Sequence, residues 1–376
     1  MNFKFVSKVT WGVLVWGMFA GCPGAGPVGA LEDGGTDAGV PDAGVIACGD
    51  VRSTPQMACG TLSWSASPTA SRPRNHHFTF ISETPAGAYL FALGGAEDGL
   101  IMSNADSAPL SADGQVGAWK RTTGLPIKMA GMTGGVVSHL LLLAGGTVKD
   151  SGEVSDQAYS AFVLDDGSLG AWSNAGSTLH RRMHPAGFTR GNQFYVLGGF
   201  DAPNVWDDVV RATVNDDGSV SAWEPAGKLP GPRTHLSVAY VDGYVFITGG
   251  ANSAFASDPP LDEVKRAKLD DDGKISEWVD MPNLPVKVVT HSSFFYGGYL
   301  YVAAGINAAM EHEKRVWRAP MGADHSLGAW DAVADLPLPR GHVHQVPIFK
   351  THVYMVSGAV DFMLNSTPQI AVGTFR

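Results

Sequence analysis

The chain has 376 residues, 44% hydrophobic and 16% charged, with a formal net charge of −10. That apolar fraction can fill a large core, and the acidic balance favours solubility. Lysine and arginine form no cluster able to track a phosphate backbone, so nucleic acid is not an expected partner.

Residues 1–21 read as an export signal. Lys4 and Lys8 supply a basic flank, and Val9 to Ala20 form a short apolar run. A membrane-crossing helix needs about 20 apolar residues, so this run is too short to be one. It ends in Phe19-Ala20-Gly21-Cys22. Small residues directly before a cysteine resemble the lipobox of bacterial lipoproteins. That resemblance implies a lipidated Cys22 and an address at the outer membrane or cell surface, the lipid being the only contact with membrane. A plain secretory peptide is the alternative.

Residues 22–47 are Gly, Ala, Pro and Asp with little apolar bulk, and Asp-Ala-Gly-Val occurs twice, at 37–40 and 42–45. Such a stretch cannot offset the entropy of ordering and is expected to be a tether. Gly24 to Gly29 spell G-x-G-x-x-G, but no strand precedes them and Pro27 interrupts them, so a dinucleotide site is rejected. Cys48 and Cys59 remain at the start of a folded domain covering 48–376. In an exported protein a disulfide between them is expected, with two free thiols as the alternative.

Six tryptophans then keep a regular beat. Trp64, Trp119, Trp172, Trp223, Trp278 and Trp330 are spaced 55, 53, 51, 55 and 52 apart. Glycine pairs follow the same period at 94–95, 145–146, 198–199 and 249–250, with degenerate copies at Ala304-Gly305 and Ser357-Gly358. A period of this length signals a solenoid, a propeller or an array. One unit runs from an Asn215-Asp216-Asp217-Gly218 turn through Trp223, then Leu229-Pro230 and Arg233-Thr234-His235. A strand at Leu236–Tyr240, a turn at Asp242-Gly243 and a strand at Tyr244–Thr248 follow, ending in Gly249-Gly250. A third strand is expected at Val264–Leu269, and a strand carrying the next tryptophan closes the cycle. That makes four short strands joined by hairpins.

Leu-Pro, Arg-x-His, an apolar strand ending in Gly-Gly, and a later Trp resemble the kelch repeat of the galactose-oxidase-like central-domain superfamily. The resemblance covers roughly residues 58–376. It implies an all-β fold, a six-bladed propeller of four-stranded blades. The chain opens on a tryptophan strand, Thr61–Trp64, and ends on a third-strand sequence, Gln369–Phe375. The N-terminal strand is therefore expected to complete the last blade and leave no open sheet edge.

Strand alternation puts the loops after Gly-Gly and those from Trp to Arg-x-His on one face, and the tight hairpins on the other. The long segments at 96–103, 147–157, 200–208, 251–262, 306–314 and 359–367 all belong to the first face, where binding on a rigid scaffold usually resides. Arg74, Arg182, Arg233 and Arg340 stand ten residues after Trp, and His76, His184, His235 and His342 twelve after it. Met129/Gly131 and Val288/Thr290 break that pattern. The arginines could ring a channel mouth and grip carboxylate or phosphate, or they could bond neighbouring blades. Phe200, Asp201, Trp206, Asp207, Phe255, Glu311, His312 and Phe362 are further candidates for a sugar or peptide ligand.

Dedicated chemistry is sparse. His180/His184 and His342/His344 supply too few convergent ligands for zinc, and the Asp-Asp-Gly turns too few oxygens for calcium, so neither a metal nor a cofactor is expected. No nucleophile elbow, phosphate loop or His-Glu-x-x-His is present. The expectation is a monomeric, envelope-anchored module that binds or scaffolds a protein or glycan. Two alternatives stand beside it. One is an enzyme on an acidic sugar, because some exported kelch-like propellers that resemble this chain interconvert sialic acid anomers. The other is a purely structural surface repeat.

Overall fold

The computed structural model describes residues 61–254 and 258–376. The expected export signal, lipidated Cys22 and tether, the expected Cys48–Cys59 disulfide, and Phe255 lie outside the described residues. Everything described is strand, turn or loop, and six antiparallel four-stranded sheets form a ring. Blade I takes its strands from Phe78–Thr84, Gly87–Leu93, Ala105–Leu110 and Lys120–Arg121. Blade II starts at Thr133–Val137, blade III at Ala186–Arg190, blade IV at Ser237–Val241 and blade V at Ser292–Tyr296. In blade VI, Ile348–Phe349, His352–Val356 and Gln369–Phe375 are completed by the N-terminal strand Leu62–Thr69, which pairs with the last strand from Leu62↔Phe375 to Thr69↔Gln369.

Each blade is hydrophobic on both sheet faces because each is sandwiched between two others. Six buried clusters result, one per interface. Phe78 and Phe91 of blade I meet Leu141 and Leu143 of blade II. Across the closure, Ala88 and Leu90 of blade I meet Tyr354 and Ile370 of blade VI. The second strand Leu140–Ala144 is buried throughout and those of the other blades are buried over their last four residues, which is why they read as apolar runs rather than alternating ones.

The repeat tryptophans act differently from the expectation of a strand ending in Trp. The fourth strands begin after them, at Lys120, Ser173, Glu224, Val279 and Asp331. Before each tryptophan the chain makes only a single bridge to the third strand's end, as in Val220↔Val214 and Ile275↔Leu269. Four of the indoles then reach sideways to the previous blade. Trp172, Trp223, Trp278 and Trp330 donate Nε1–H to the carbonyls of Thr123, Ala175, Lys228 and Pro282 at 3.4, 2.8, 2.7 and 2.9 Å. Of these four only Trp223 is buried, and the carbonyls come from the outer strand of the neighbouring blade or just beyond it; the buried N–H of Trp119 makes no such bond. Trp64 sits inside its strand instead, packed on the core between blades V and VI.

The glycine pairs bind the ring along its inner edge. The second glycine of every blade donates its N–H to a carbonyl of the next blade, at the position ten residues after Trp. Gly95 reaches Met129, Gly146 Arg182, Gly199 Arg233, Gly250 Val288, Gly305 Arg340 and Gly358 Arg74, all at 2.8–2.9 Å. These glycines have φ between 87° and 109°, and a Cβ on Gly95 would stand 2.5 Å from the Asn75 carbonyl oxygen, so no other residue fits. In the degenerate copies the first glycine is replaced by Ala304 and Ser357, which keep the left-handed backbone at φ 62° and 58°. Ser357 adds a bond of its own across the closure: its Oγ accepts the Arg74 N–H at 2.7 Å and donates to the Thr367 carbonyl.

Removing residues 61–69 deletes one strand of blade VI and uncovers part of the core between blades V and VI. The expected outcome is a thermal midpoint lowered by several degrees and a broader transition, read by circular dichroism. An unchanged, cooperative melt would contradict closure by this strand.

Candidate functional site

The four repeat arginines lie inside the blades, not at a channel mouth. Arg74, Arg182 and Arg340 are 0% exposed, and Arg233 is buried. Each guanidinium spans the end of the second strand and the start of the third. Arg74 donates to the carbonyls of Ala92 and Gly94 at 3.2 Å and to Asp106 at 2.6 Å. Arg182 binds the Gly198 carbonyl at 2.7 Å and both oxygens of Asp208, at 3.0 and 2.7 Å. Arg233 takes the Gly249 carbonyl and Glu263. Arg340 has no carboxylate; it donates to the carbonyls of Met355, Ser357 and Gln369 and to the Gln369 side chain, and burial lowers its pKa to about 10. The guanidinium fork thus pins the left-handed Gly-Gly corner of its own blade. An anion reaching it would have to displace a charge-assisted hydrogen bond already made. The partners Asp106, Asp208, Glu263 and Gln369 went unnoticed in the sequence; the available signal is an acidic or amide side chain 26 to 32 residues after each arginine.

The histidines gather on the axis. At the position twelve residues after Trp, the backbone is left-handed in every blade: His76, Gly131, His184, His235, Thr290 and His342 have φ between 52° and 66°. This geometry turns their main chains toward each other. The N–H groups of His76, Gly131, His184, His235 and Thr290 donate to the carbonyls of His342, His76, Gly131, His184 and His235 respectively, at 2.8–3.2 Å. Side chains converge as well. His76 stacks on His342 with centroids 3.9 Å apart, His184 on His235 at 4.0 Å, and His184 Nδ1 lies 3.2 Å from Nε2 of His344. His344, which the sequence offered only as half of a weak metal pair, is the fifth member of this group. Beneath it a cavity of about 340 Å³ runs between the first strands, lined by Phe80, Val136, Phe188, Val238, Gln345 and Ile348 among others.

These imidazoles resist protonation. Burial holds His76, His184 and His342 well below the ordinary histidine range, with the neighbouring imidazoles adding to it. His235 falls to about 3 and His344 to about 4, chiefly by burial. His291, donating to or accepting from Thr248 Oγ1 at 2.7 Å, is lowered to about 3. Stacked rings present faces rather than lone pairs to each other, and among the described residues no group of three His, Cys, Asp or Glu side chains is arranged to hold a metal ion.

The long loops sit around this plug. Phe200 lies over it, 5.4 Å from His235 and 6.0 Å from His184. Trp206 stacks on His180 at 4.2 Å and donates to the Arg181 carbonyl at 2.9 Å. Asp201 pairs with Arg181 and Asp207 with Lys228. His312 is partly buried, its pKa lowered by desolvation despite the nearby Asp361. Glu311 is exposed, and Phe362 is 73% exposed.

No protein-family model matches the chain. Individual proteins do. Kelch-like protein terF of Aspergillus terreus is 26% identical over 243 residues, covering 59% of this chain and 48% of that protein. Kelch-like protein 41 of Mus musculus is 28% identical over 126 residues, covering 33% of this chain and 20% of that protein. The chain thus spans about half the length of the first relative and a fifth of the second. The solved structure of YjhT is similar at a TM-score of 0.64 and 12% identity, covering 81% of this chain and 96% of that chain. The chain is a kelch-repeat β-propeller.

In this kelch propeller the Arg-x-His element has two separable physical roles. The arginine charge is balanced inside the blade, and the histidine closes the axis. Removing one partner of a buried ion pair leaves the other uncompensated, which typically costs about 3–5 kcal/mol. Asp106 keeps Ser71 and the exposed Arg121 as further partners, so Arg74→Ala is expected to cost about 3 kcal/mol in denaturant unfolding. Asp106→Ala alone should cost a similar amount, and the double variant less than the sum. Strict additivity would contradict the clamp.

The histidine plug also sets an acid limit. A group whose folded pKa lies below its unfolded value of about 6.5 adds no pH dependence above that value. As pH falls from 6.5 toward the folded values of about 3 and 4, the unfolded chain takes up protons that the kelch propeller refuses. Each such proton is worth at most about 1.4 kcal/mol per pH unit. Denaturation midpoints should therefore drop steeply between pH 6.5 and 4.5, and His344→Gln should flatten the slope. A midpoint independent of pH across that window would show that the imidazoles titrate alike in both states.

Proposed function

We propose that this propeller is a binding or scaffold module for a protein or glycan, held on the cell envelope through a lipidated Cys22 and working through its long-loop face. One observation carries the reading. The elements that recur in the repeat are absorbed by the frame: arginines in blade clamps, glycines and histidines in the axial rings, tryptophans in blade-to-blade bonds. The loops that differ between blades bring aromatic, apolar and acidic side chains to the surface, among them Trp206, Phe362 and Glu311. A rigid ring bearing unlike loops suits recognition, in which a few exposed anchors on a pre-organised surface supply most of the affinity.

Affinity capture from envelope extracts and a glycan array would test this with the purified full chain beside a Trp206→Ser/Phe362→Ser variant. At least one partner or glycan should be retained by the parent and lost from the variant, while both melt alike. Blank results in both assays would overturn the reading. The anchoring has its own check: labelled fatty acid should enter the expressed chain and be absent from Cys22→Ala.

A further inference from the structure

The loops that follow the glycine pair close with a tight turn at their apex, and the apex residues can be compared between blades. Blade I places Asp98-Gly99 there and blade III Ala202-Pro203. Blade II closes its apex by a bond from Gly152 N–H to the Lys149 carbonyl, around Asp150-Ser151, and blade V by one from Met310 to Asn307, around Ala308-Ala309. These are small or polar residues, as turn geometry favours. Blade VI is different. Leu364 N–H donates to the Asp361 carbonyl at 3.0 Å, and the two residues carried at the apex are Phe362 and Met363. They are 73% and 59% exposed, and no other large apolar side chain among the described residues is more exposed than Phe362.

This apex is held in place. The Asp361 carboxylate accepts the Asn365 backbone N–H at 3.1 Å and its side-chain amide at 2.8 Å, and Val360 N–H donates to the Asn365 carbonyl at 2.8 Å. At the base of the loop, Asn75 of blade I donates its side-chain amide to the Leu364 carbonyl and to Ser366. Asn75 is also bridged to Ala96, the first residue of the blade I hairpin that exposes Leu100 at 59%. The blade VI tip and the blade I hairpin are therefore neighbours. Blade V adds Met310 at 42% beside Glu311. Phenylalanine and methionine at a fixed, solvent-facing apex gain nothing for the fold, whereas at an interface they are adaptable anchors.

The charge around the tip points to one kind of occupant. Segments 96–101, 306–314 and 359–367 contain five carboxylates, Glu97, Asp98, Glu311, Glu313 and Asp361, against one cation, Lys314, which is paired with Asp335 at 3.3 Å. Glu97 is paired with Arg72, and Glu313 bonds Asn307; Asp98 and Glu311 are exposed. An anionic membrane surface would be repelled by this rim, and a cationic partner attracted.

We propose that the Phe362-Met363 tip, with Leu100 and Met310 beside it, docks a segment of a partner protein in which apolar side chains are flanked by lysine or arginine. This rests on the binding-module reading and names the partner for its surface. The test is selection of a phage-displayed library of random dodecapeptides against the full chain. Enriched peptides would then be synthesised and their binding measured by fluorescence anisotropy, at low and high salt, to the parent and to Phe362→Ser/Met363→Ser. The expected result is enrichment of basic, apolar sequences whose binding weakens at least tenfold in the variant and weakens with salt, with thermal midpoints of parent and variant equal. No enrichment, enriched peptides without basic residues, or binding indifferent to the two substitutions would overturn the proposal. So would tip-dependent binding to phosphatidylcholine/phosphatidylglycerol vesicles, or tip-dependent self-association in sedimentation. A peptide that binds equally to parent and variant would sink the tip while leaving the binding module intact; silence here together with blank capture and glycan assays would sink both.

Discussion

The structure depends on main-chain hydrogen bonds that run around the propeller axis. Six sheets packed face to face have no covalent reason to stay in register. The bond from each second glycine to the carbonyl of the following blade supplies it, and all six are present. A second belt joins the residues twelve after Trp, one step closer to the axis in the chain's path. Both belts need backbone in the left-handed region, which side chains disfavour. Glycine meets that need without strain in the first belt. In the second belt Gly131 meets it freely, while four histidines and a threonine adopt it, the histidines with their rings stacked in two pairs.

From this constraint the rest of the repeat becomes intelligible. A left-handed Gly-Gly corner leaves carbonyls of the second strand pointing into the blade, where water does not reach them. A buried guanidinium is a fitting donor, because its planar fork can take two carbonyls and a carboxylate at once. Where a blade lacks the arginine, in II and V, Met129 and Val288 fill the same position with apolar bulk and still offer their carbonyls to the belt. Belt and clamp are thus independent: the carbonyl serves the ring whatever the side chain is. The outer edge is secured separately by the indole bonds and the six inter-blade cores.

Much of this was legible from the spacing alone. The strands Tyr244–Thr248 and Gln369–Phe375 are found where the alternation and the glycine pairs put them, and Leu62–Thr69 closes blade VI. Blade number follows from the count of repeats, and the division into a long-loop face and a hairpin face follows from strand direction. What periodicity could not convey was the direction of a side chain at a strand's entrance. A repeated arginine reads the same whether it faces a ligand or its own blade, and its partner is distant in sequence: Asp208 is 26 residues after Arg182. Trp64 does lie in a strand, but the other five tryptophans were misread as strand residues for a similar reason. An indole that stands just ahead of a strand and bonds sideways leaves the same period in the sequence as one within it. The convergence of five histidines was hidden because His344 lies outside the repeat position, and only the ring brings it against His184.

The separation of frame from loop bears on where recognition can reside. A position that recurs in every blade is occupied by the ring's own needs, since any residue there faces the same neighbours six times over. Information specific to a ligand must therefore be carried by departures from the repeat. Among blades I, II, III, V and VI, blade VI departs most visibly, because its loop holds Phe362 and Met363 where the others hold Asp-Gly, Asp-Ser, Ala-Pro or Ala-Ala. It is also the blade in which the first and last described strands pair and where Ser357 replaces a glycine to bond Arg74. The loop that carries the most exposed large apolar side chain among the described residues thus leads directly into the strand Gln369–Phe375, which pairs with Leu62–Thr69. Asn75, in the segment that leads from Leu62–Thr69 into blade I, bonds both Leu364 and Ser366, so the base of that loop is tied to both ends of the fold.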